Sequence, residues 1–293
     1  MTENNATQGF AAAVEAAQRS VVRVEAARCR TLSGTVFGND LVVTSLRGFG
    51  DADEARVIGP DQTELTAELV GSDAGTDLVL LRVRGTLEPA AFRSHEGLRV
   101  GDYALALGRP GKNIRASLRI VGLLADDVRT PAGGRLERYI ETDRGFPDGF
   151  EGGPLIDAAG ALVGMNTARL IRGADLTIPH ATLSRVVQEL LAHGRVRRGY
   201  LGVATQPVRL PSALRDSLKQ RSGALVLDTE ADGPAHKAGL ILGDVIVALD
   251  GAQIRGPREL AEALASKLAV EVSLSVVRGG QVITVQLTTG ERG

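Results

Sequence analysis

The length, composition and charge of the chain predict two globular domains and exclude several classes of function. Its 293 residues exceed what one hydrophobic core usually organises, and its 43% hydrophobic and 24% charged residues are typical of a folded protein. The 34 Lys and Arg against 35 Asp and Glu leave a net charge of -1, which provides no field to hold a nucleic acid. We therefore expect no nucleic-acid partner.

The sequence has no sign of a disulfide framework, a membrane span or a secretion signal. Cys29 is the only cysteine, so neither an internal disulfide nor a multi-cysteine metal site can form, and we expect no metal and no cofactor. No stretch approaches the roughly 20 apolar residues of a membrane span, and the segment from Met1 to Ala6 lacks the pattern of a signal peptide. As written, the chain is predicted to be cytoplasmic, or exported if a leader was removed.

The first two thirds of the chain read as a short helix followed by many strands. Residues Gly9 to Gln18 favour an amphipathic helix within a lead-in over residues 1–20. Short β-branched runs then alternate with turn residues; examples are Val21 to Val24, Gly34 to Phe37, Leu41 to Thr44, Leu78 to Val83 and Tyr103 to Leu107. This spacing predicts a mainly β domain, a barrel or a sandwich, over residues 21–193.

A helix, a linker and a smaller α/β module complete the chain. The apolar face of Ala181 to Ala192 predicts the helix that closes the first domain, and the Gly-flanked basic residues 194–199 predict a linker. The second domain, residues 200–293, is predicted to contain five strands and a helix over Arg258 to about Leu268.

The most informative segment of the first domain is the glycine-rich turn from Gly149 to Pro154. Glycines at this spacing allow a strained backbone and close approach, so the turn can present one side chain and its neighbouring N–H groups to a cleft. Such a turn is suited to building an oxyanion hole, with the backbone of Gly149 and Glu151 as its donors.

This segment resembles the nucleophile loop Gly-Asn-Ser-Gly-Gly-Pro of the HtrA (DegP-like) family of trypsin-like serine proteases. The family's serine falls on Glu151. Its histidine motif resembles Val42 to Arg47, which places Arg47 at the imidazole position, and its aspartate motif resembles Thr76 to Leu81, which retains Asp77. The resemblance covers nearly the whole chain and implies a trypsin-like double β-barrel.

The residues at the triad positions predict that the chain is not an enzyme. A guanidinium has no lone pair to accept a proton, so Arg47 cannot be a general base. Glu151 is already anionic and would lie where the oxyanion forms. We therefore predict a pseudoprotease with no functional catalytic residue at Arg47, Asp77 or Glu151. The alternative is an active serine endopeptidase of protein quality control with an unconventional mechanism, as family comparison alone suggests.

The three replaced or retained positions allow a second hypothesis. Asp77, Arg47 and Glu151 could form an acid-base-acid row of ion pairs. Two alternatives remain: the side chains of Arg47 and Glu151 point separately into solvent, or Asp77 and Glu151 hold a metal ion, which the cation at Arg47 disfavours. None of the four histidines lies in a catalytic motif, and His95, His180, His193 and His236 are interpreted as surface residues.

The second domain resembles a PDZ domain, which implies that it binds peptides. The segment Tyr200 to Val203 resembles the carboxylate-binding loop, and Gly233 to Leu240 and Gly243 to Ile246 resemble the PDZ signature. The helix after them would line the groove, although its leucines could equally be core residues. The candidate peptide-binding residues are Tyr200, Leu201, Gly202, Val203, Leu260 and Leu264.

Taken together, these features predict a peptide-binding scaffold or regulator. Its expected partners are C-terminal or unfolded peptides, and it could assemble with itself or with active relatives, because the resemblance implies oligomers formed through the protease domain.

Overall fold

The computed structural model describes residues 5–26, 31–94, 96–130, 132–171 and 174–292. Cys29 and His95 lie outside these residues. The chain divides into two compact units, Met1–Val196 and Arg197–Gly293. None of the helices in the described ranges is long and apolar enough to cross a membrane.

The first unit is mainly β, with an α-helix near each end. Its helices are α1 (Asn5–Ala17), α2 (Leu46–Phe49) and α3 (His180–His193). Its strands are β1 (Val21–Ala26), β2 (Leu32–Gly38), β3 (Leu41–Ser45), β4 (Glu54–Ile58), β5 (Glu64–Asp73), β6 (Leu78–Val83), β7 (Tyr103–Gly108), β8 (Arg115–Arg129), β9 (Arg135–Thr142), β10 (Pro154–Asp157), β11 (Leu162–Ile171) and β12 (Ala174–Pro179).

These strands form two closed antiparallel barrels. The first has the order β1-β2-β3-β6-β5-β4 and the second β10-β11-β12-β9-β8-β7. Closure removes the exposed edges of each sheet, and the inward residues of each strand fill the barrel interior. Strand β6, for example, buries Val79 and Leu81 in the core of the first barrel, while Leu78 and Leu80 on its other face are buried in a second core cluster.

Helix α3 packs against the barrels through the face that its sequence predicts. Leu183, Val186, Val187 and Leu190 are buried in one core cluster with residues of both barrels. The helix ends because Gly194 adopts a left-handed conformation (φ 70°) and donates its N–H to the carbonyl of Leu190, at 2.8 Å.

The second unit is a small α/β domain. Its helices are α4 (Ser212–Leu218), α5 (Pro234–Lys237) and α6 (Pro257–Leu264). Its strands are β13 (Arg198–Tyr200), β14 (Val203–Arg209), β15 (Ser222–Thr229), β16 (Val245–Leu249), β17 (Ala252–Gln253), β18 (Glu271–Arg278), β19 (Gln281–Thr288) and β20 (Gly290–Arg292). The main sheet has the order β14-β15-β16-β18-β19, and β13 pairs separately with β20.

The architecture confirms the predicted fold class, a mainly β double barrel followed by a smaller α/β domain. Some details differ from the sequence expectations, and helix α4 was not predicted. Arg198 and Gly199, assigned to the linker, form β13 because β20 at the end of the chain supplies its partner. Helix α6 ends at Leu264, earlier than the predicted Leu268.

Candidate functional site

Asp77 is the best-anchored of the three triad-position residues. It directly precedes β6, has a left-handed backbone (φ 55°) and is 1% exposed. Its Oδ2 accepts hydrogen bonds from Ser45 Oγ, at 2.7 Å, and from Thr167 Oγ1, while its Oδ1 accepts the N–H of Arg47, at 2.8 Å. Burial raises the pKa of the Asp77 carboxyl above its ordinary value, although these hydrogen bonds oppose the shift.

Arg47 interacts with Asp77 through its backbone N–H and through its charge. Arg47 lies in the short helix α2, and its side chain is exposed. The charge of this guanidinium favours the ionised form of Asp77 and so opposes the effect of burial on the pKa of that carboxyl. The row of ion pairs among Asp77, Arg47 and Glu151 stays a prediction, and the hydrogen bonds to Asp77 come from the N–H of Arg47 and two hydroxyl groups.

The predicted turn is built as a rigid loop between the two barrels. Gly149 and Gly152 both have φ of 81°, a conformation that disfavours any side chain. The hydroxyl of Ser33 donates to the carbonyl of Gly149 at 2.6 Å, and the N–H of Ser33 donates to the carbonyl of Glu151 at 3.1 Å. A Cβ at Gly152 would lie 2.2 Å from the carbonyl oxygen of Ser33, so only glycine fits there.

This loop leaves a backbone donor available to a ligand. The N–H of Gly149 has no acceptor in the described part of the chain, and Glu151 is partly buried at the position that the sequence predicted. An N–H in such a turn can stabilise a developing oxyanion. The turn and Asp77 thus supply a backbone donor and a buried carboxylate, while the residues at positions 47 and 151 are an arginine and a glutamate.

Three further residues that support this region were missed by the sequence analysis. Ser45 and Thr167 donate to Asp77 from 32 and 90 residues away, and no local pattern could link them. Arg119 is 2% exposed and donates to the carbonyl of Gly145, with its guanidinium 5.8 Å from the ring centre of Phe146. The alternation of β8 places Arg119 at an inward position, and this signal could have identified it.

The second unit contains a loop whose amide groups are open to an anion. The N–H groups of Leu201 and Gly202 have no acceptor among the described residues, and Gly202 is left-handed (φ 74°). The two neighbouring carbonyls are used: that of Leu201 accepts from Ala235 N, and that of Gly202 from Glu230 N, each at 2.8 Å. Successive N–H groups around a left-handed residue form a nest suited to a carboxylate.

The predicted groove residues divide between this loop and the core. Leu260 and Leu264 of α6 are 3% and 6% exposed and belong to one core cluster with Leu201. Val203 is partly buried against the same cluster, and Tyr200 is partly buried beside it. The leucines of α6 therefore pack mainly into the core, and their contact with a peptide stays a prediction.

Both domains match known families. Residues 32–165 match the trypsin-like peptidase domain, and residues 199–289 match the PDZ domain. The chain is 34% identical over 267 residues to a "Probable periplasmic serine endoprotease DegP-like" of Brucella suis, covering 87% of this chain and 52% of the relative. A relative of the same name in Bartonella henselae is 36% identical over 259 residues, covering 85% and 51%.

A solved structure extends the likeness to the fold. The structure named "HtrA-type protease AlgW with tripeptide" has a TM-score of 0.72, is 30% identical and covers 97% of both chains. The chain spans about half the length of the curated relatives that it matches.

These comparisons contradict the prediction that the chain is not an enzyme. The relatives are named serine endoproteases and the solved neighbour an HtrA-type protease. The prediction rested on the side chains of Arg47 and Glu151, whereas the likeness involves the whole domain, including the turn and the buried Asp77. The prediction is therefore wrong, and the family points to an enzyme.

Proposed function

The chain belongs to the HtrA/DegP-like family, and we propose that its PDZ domain binds the free C-termini of polypeptides. The observation that carries this proposal is the open pair of N–H groups at Leu201 and Gly202, directly before the exposed edge of β14. The amides bind the terminal carboxylate, and the peptide backbone pairs with β14 as an added strand.

Chemistry at the start of β14 favours an apolar last residue in the ligand. Leu201 and Val203 flank the nest, and both pack on the cluster that contains Leu260 and Leu264. If the last residue of the ligand has an apolar side chain, that side chain is removed from water in this region, which favours binding. Residues farther from the terminus contribute through backbone pairing.

The test compares peptides that differ only at the terminus. Peptides with an apolar last residue and a free carboxylate should bind the purified protein in isothermal titration, whereas their C-terminal amides should bind at least about ten-fold more weakly. Gly202→Ala, which forces a side chain into the left-handed nest, should weaken binding by a similar factor. Gly251→Ala is the matched control, because Gly251 is also left-handed (φ 80°) but faces open space. Equal affinity for acid and amide would refute the proposal.

A second candidate function is endopeptidase activity, which the names of the relatives favour. Arg47 cannot accept a proton, so hydrolysis at this turn would need Glu151 to deprotonate a water molecule and pass that proton to the leaving amine. The N–H of Gly149 would stabilise the oxyanion. Glu151→Gln should then abolish cleavage of unfolded casein, and cleavage that survives this substitution would exclude Glu151 as the base.

A gain-of-function variant tests the same site independently. Arg47→His with Glu151→Ser restores a His-Asp-Ser set around Asp77, and we expect it to cleave casein at least about 10³-fold faster than Arg47→His alone. It should also be labelled by a fluorophosphonate, which reacts with an activated serine. An unlabelled double variant would show that the loops around the turn do not support a triad.

The compartment and assembly follow as smaller proposals. The curated relatives are named periplasmic, and we propose an exported location for this protein as well. Fractionation of the native cells tests it, since recovery with cytoplasmic markers would contradict it. Assembly with itself or with active relatives stays a prediction.

A further inference from the structure

The hydrogen-bonding pattern of β14 defines which of its residues can pair with a ligand. Strand β14 is an edge strand, paired only with β15. Gly202 accepts a bond from Glu230, so the next residue, Val203, directs its N–H and C=O away from β15. Val226, opposite Thr205, donates its N–H to the carbonyl of Asp244 and accepts the N–H of Gly243. Since Val226 is bonded on that side, the N–H and C=O of Thr205 also point to the free edge.

Continuing this alternation, Pro207 is the third residue at the free edge. Its partner in β15 is Ala224, two residues before Val226, so the pair is again not hydrogen-bonded between the two strands. Proline lacks an N–H and is tolerated at such a position because the edge has no ladder to break. A ligand strand, however, meets no donor at Pro207.

The start of α6 also lies close to this residue. Gly256, the residue before α6, faces Pro207: a Cβ at Gly256 would lie 3.8 Å from the Cβ of Pro207, in ordinary van der Waals contact. At the other end of the helix, a Cβ at Gly199 would lie 2.4 Å from the carbonyl oxygen of Leu264, so α6 runs alongside β14 from the carboxylate-binding loop to Pro207.

We propose that Pro207 ends the backbone ladder and limits recognition to about the last four residues of the ligand. The ligand runs antiparallel to β14, because its carboxylate lies at the start of that strand. Its last residue lies opposite Val203, its third from last opposite Thr205 and its fifth from last opposite Pro207. The fifth residue finds no N–H donor at Pro207. This inference rests on the proposed binding of C-termini.

The experiment measures affinity against ligand length. The probe is the tightest binder from a library of octapeptides with free C-termini and randomised last three positions, synthesised at four, six and eight residues. The wild-type protein should bind all three lengths within about two-fold. Pro207→Ala, which restores the N–H, should bind the six- and eight-residue peptides about three- to ten-fold tighter than the four-residue peptide.

Two further variants separate the causes. Pro207→Gly restores the N–H and also removes the Cβ that faces Gly256, so its gain with length should equal or exceed that of Pro207→Ala. Pro211→Ala is the matched control, an exposed proline outside β14 at the start of α4, and should keep the wild-type profile.

The outcomes distinguish this inference from the function on which it rests. The proposed limit of about four ligand residues is overturned if the affinity of the wild-type protein rises more than about five-fold from the four- to the eight-residue peptide. It is also overturned if affinity does not change with peptide length in either Pro207 variant. In both cases the proposed binding of C-termini stands. Failure of every free-carboxylate peptide to bind refutes the proposed function and this inference with it.

Discussion

Replacing Asp77 tests whether the buried carboxylate is a structural link between the two barrels. It accepts from Ser45 and Arg47 of the first barrel and from Thr167 of the second, and it is 1% exposed. Asp77→Ala leaves two buried hydroxyl donors and the partly buried N–H of Arg47 without their acceptor, which should cost about 3–5 kcal/mol. For a domain of this size, that corresponds to a melting temperature about 10 °C lower.

The dependence on pH provides a second, independent readout. Because burial raises the pKa of Asp77 above 3.8, the folded protein holds this proton more tightly than the unfolded chain does. The resulting stability is complete below the ordinary pKa and is lost as pH rises through the raised pKa of the folded state. Asp77→Asn retains an acceptor of the same shape and does not titrate, so it should cost less than Asp77→Ala and flatten this part of the profile.

Differential scanning calorimetry between pH 4 and 8 measures both effects. The transition of the PDZ domain serves as an internal reference, because the substitution lies in the other unit. A loss below about 1 kcal/mol in Asp77→Ala would refute the structural role, since it is less than one charged hydrogen bond contributes. An unchanged pH slope in Asp77→Asn would refute the raised pKa.

Two further predictions concern one residue in each domain. Gly152→Ala should destabilise the barrels by at least about 3 kcal/mol in calorimetry, because its Cβ would lie 2.2 Å from Ser33 O. Gly101 is also left-handed but faces open space, so Gly101→Ala should cost about 1–2 kcal/mol, and equal losses would contradict the clash. Asp244→Ala should lower the unfolding free energy of the PDZ domain by about 3 kcal/mol, because Asp244 is 1% exposed and accepts two hydrogen bonds from Arg278. Arg278→Ala should give a smaller loss, and the reverse order would contradict burial as the cause.

Local sequence patterns determined most of the fold. The β-branched runs at β1, β3 and β6 and the apolar face of α3 carried enough information to place these elements, because strand and helix periods arise within a few residues. The short helix α4 was not predicted. Strand β13 was assigned to the linker, because only its pairing with β20 makes it a strand.

The sequence by itself also determined which residues occupy the triad positions and which glycines shape the turns at Gly149 to Pro154 and Tyr200 to Val203, because these follow from residue identity and spacing. Tertiary structure alone decided what those residues touch. Asp77 meets Thr167 only when the two barrels come together, and the backbone N–H of Arg47 donates to the same carboxylate. Pro207 became informative only once the register of β14 with β15 was known, since hydrogen-bond direction depends on the pairing of strands and not on sequence.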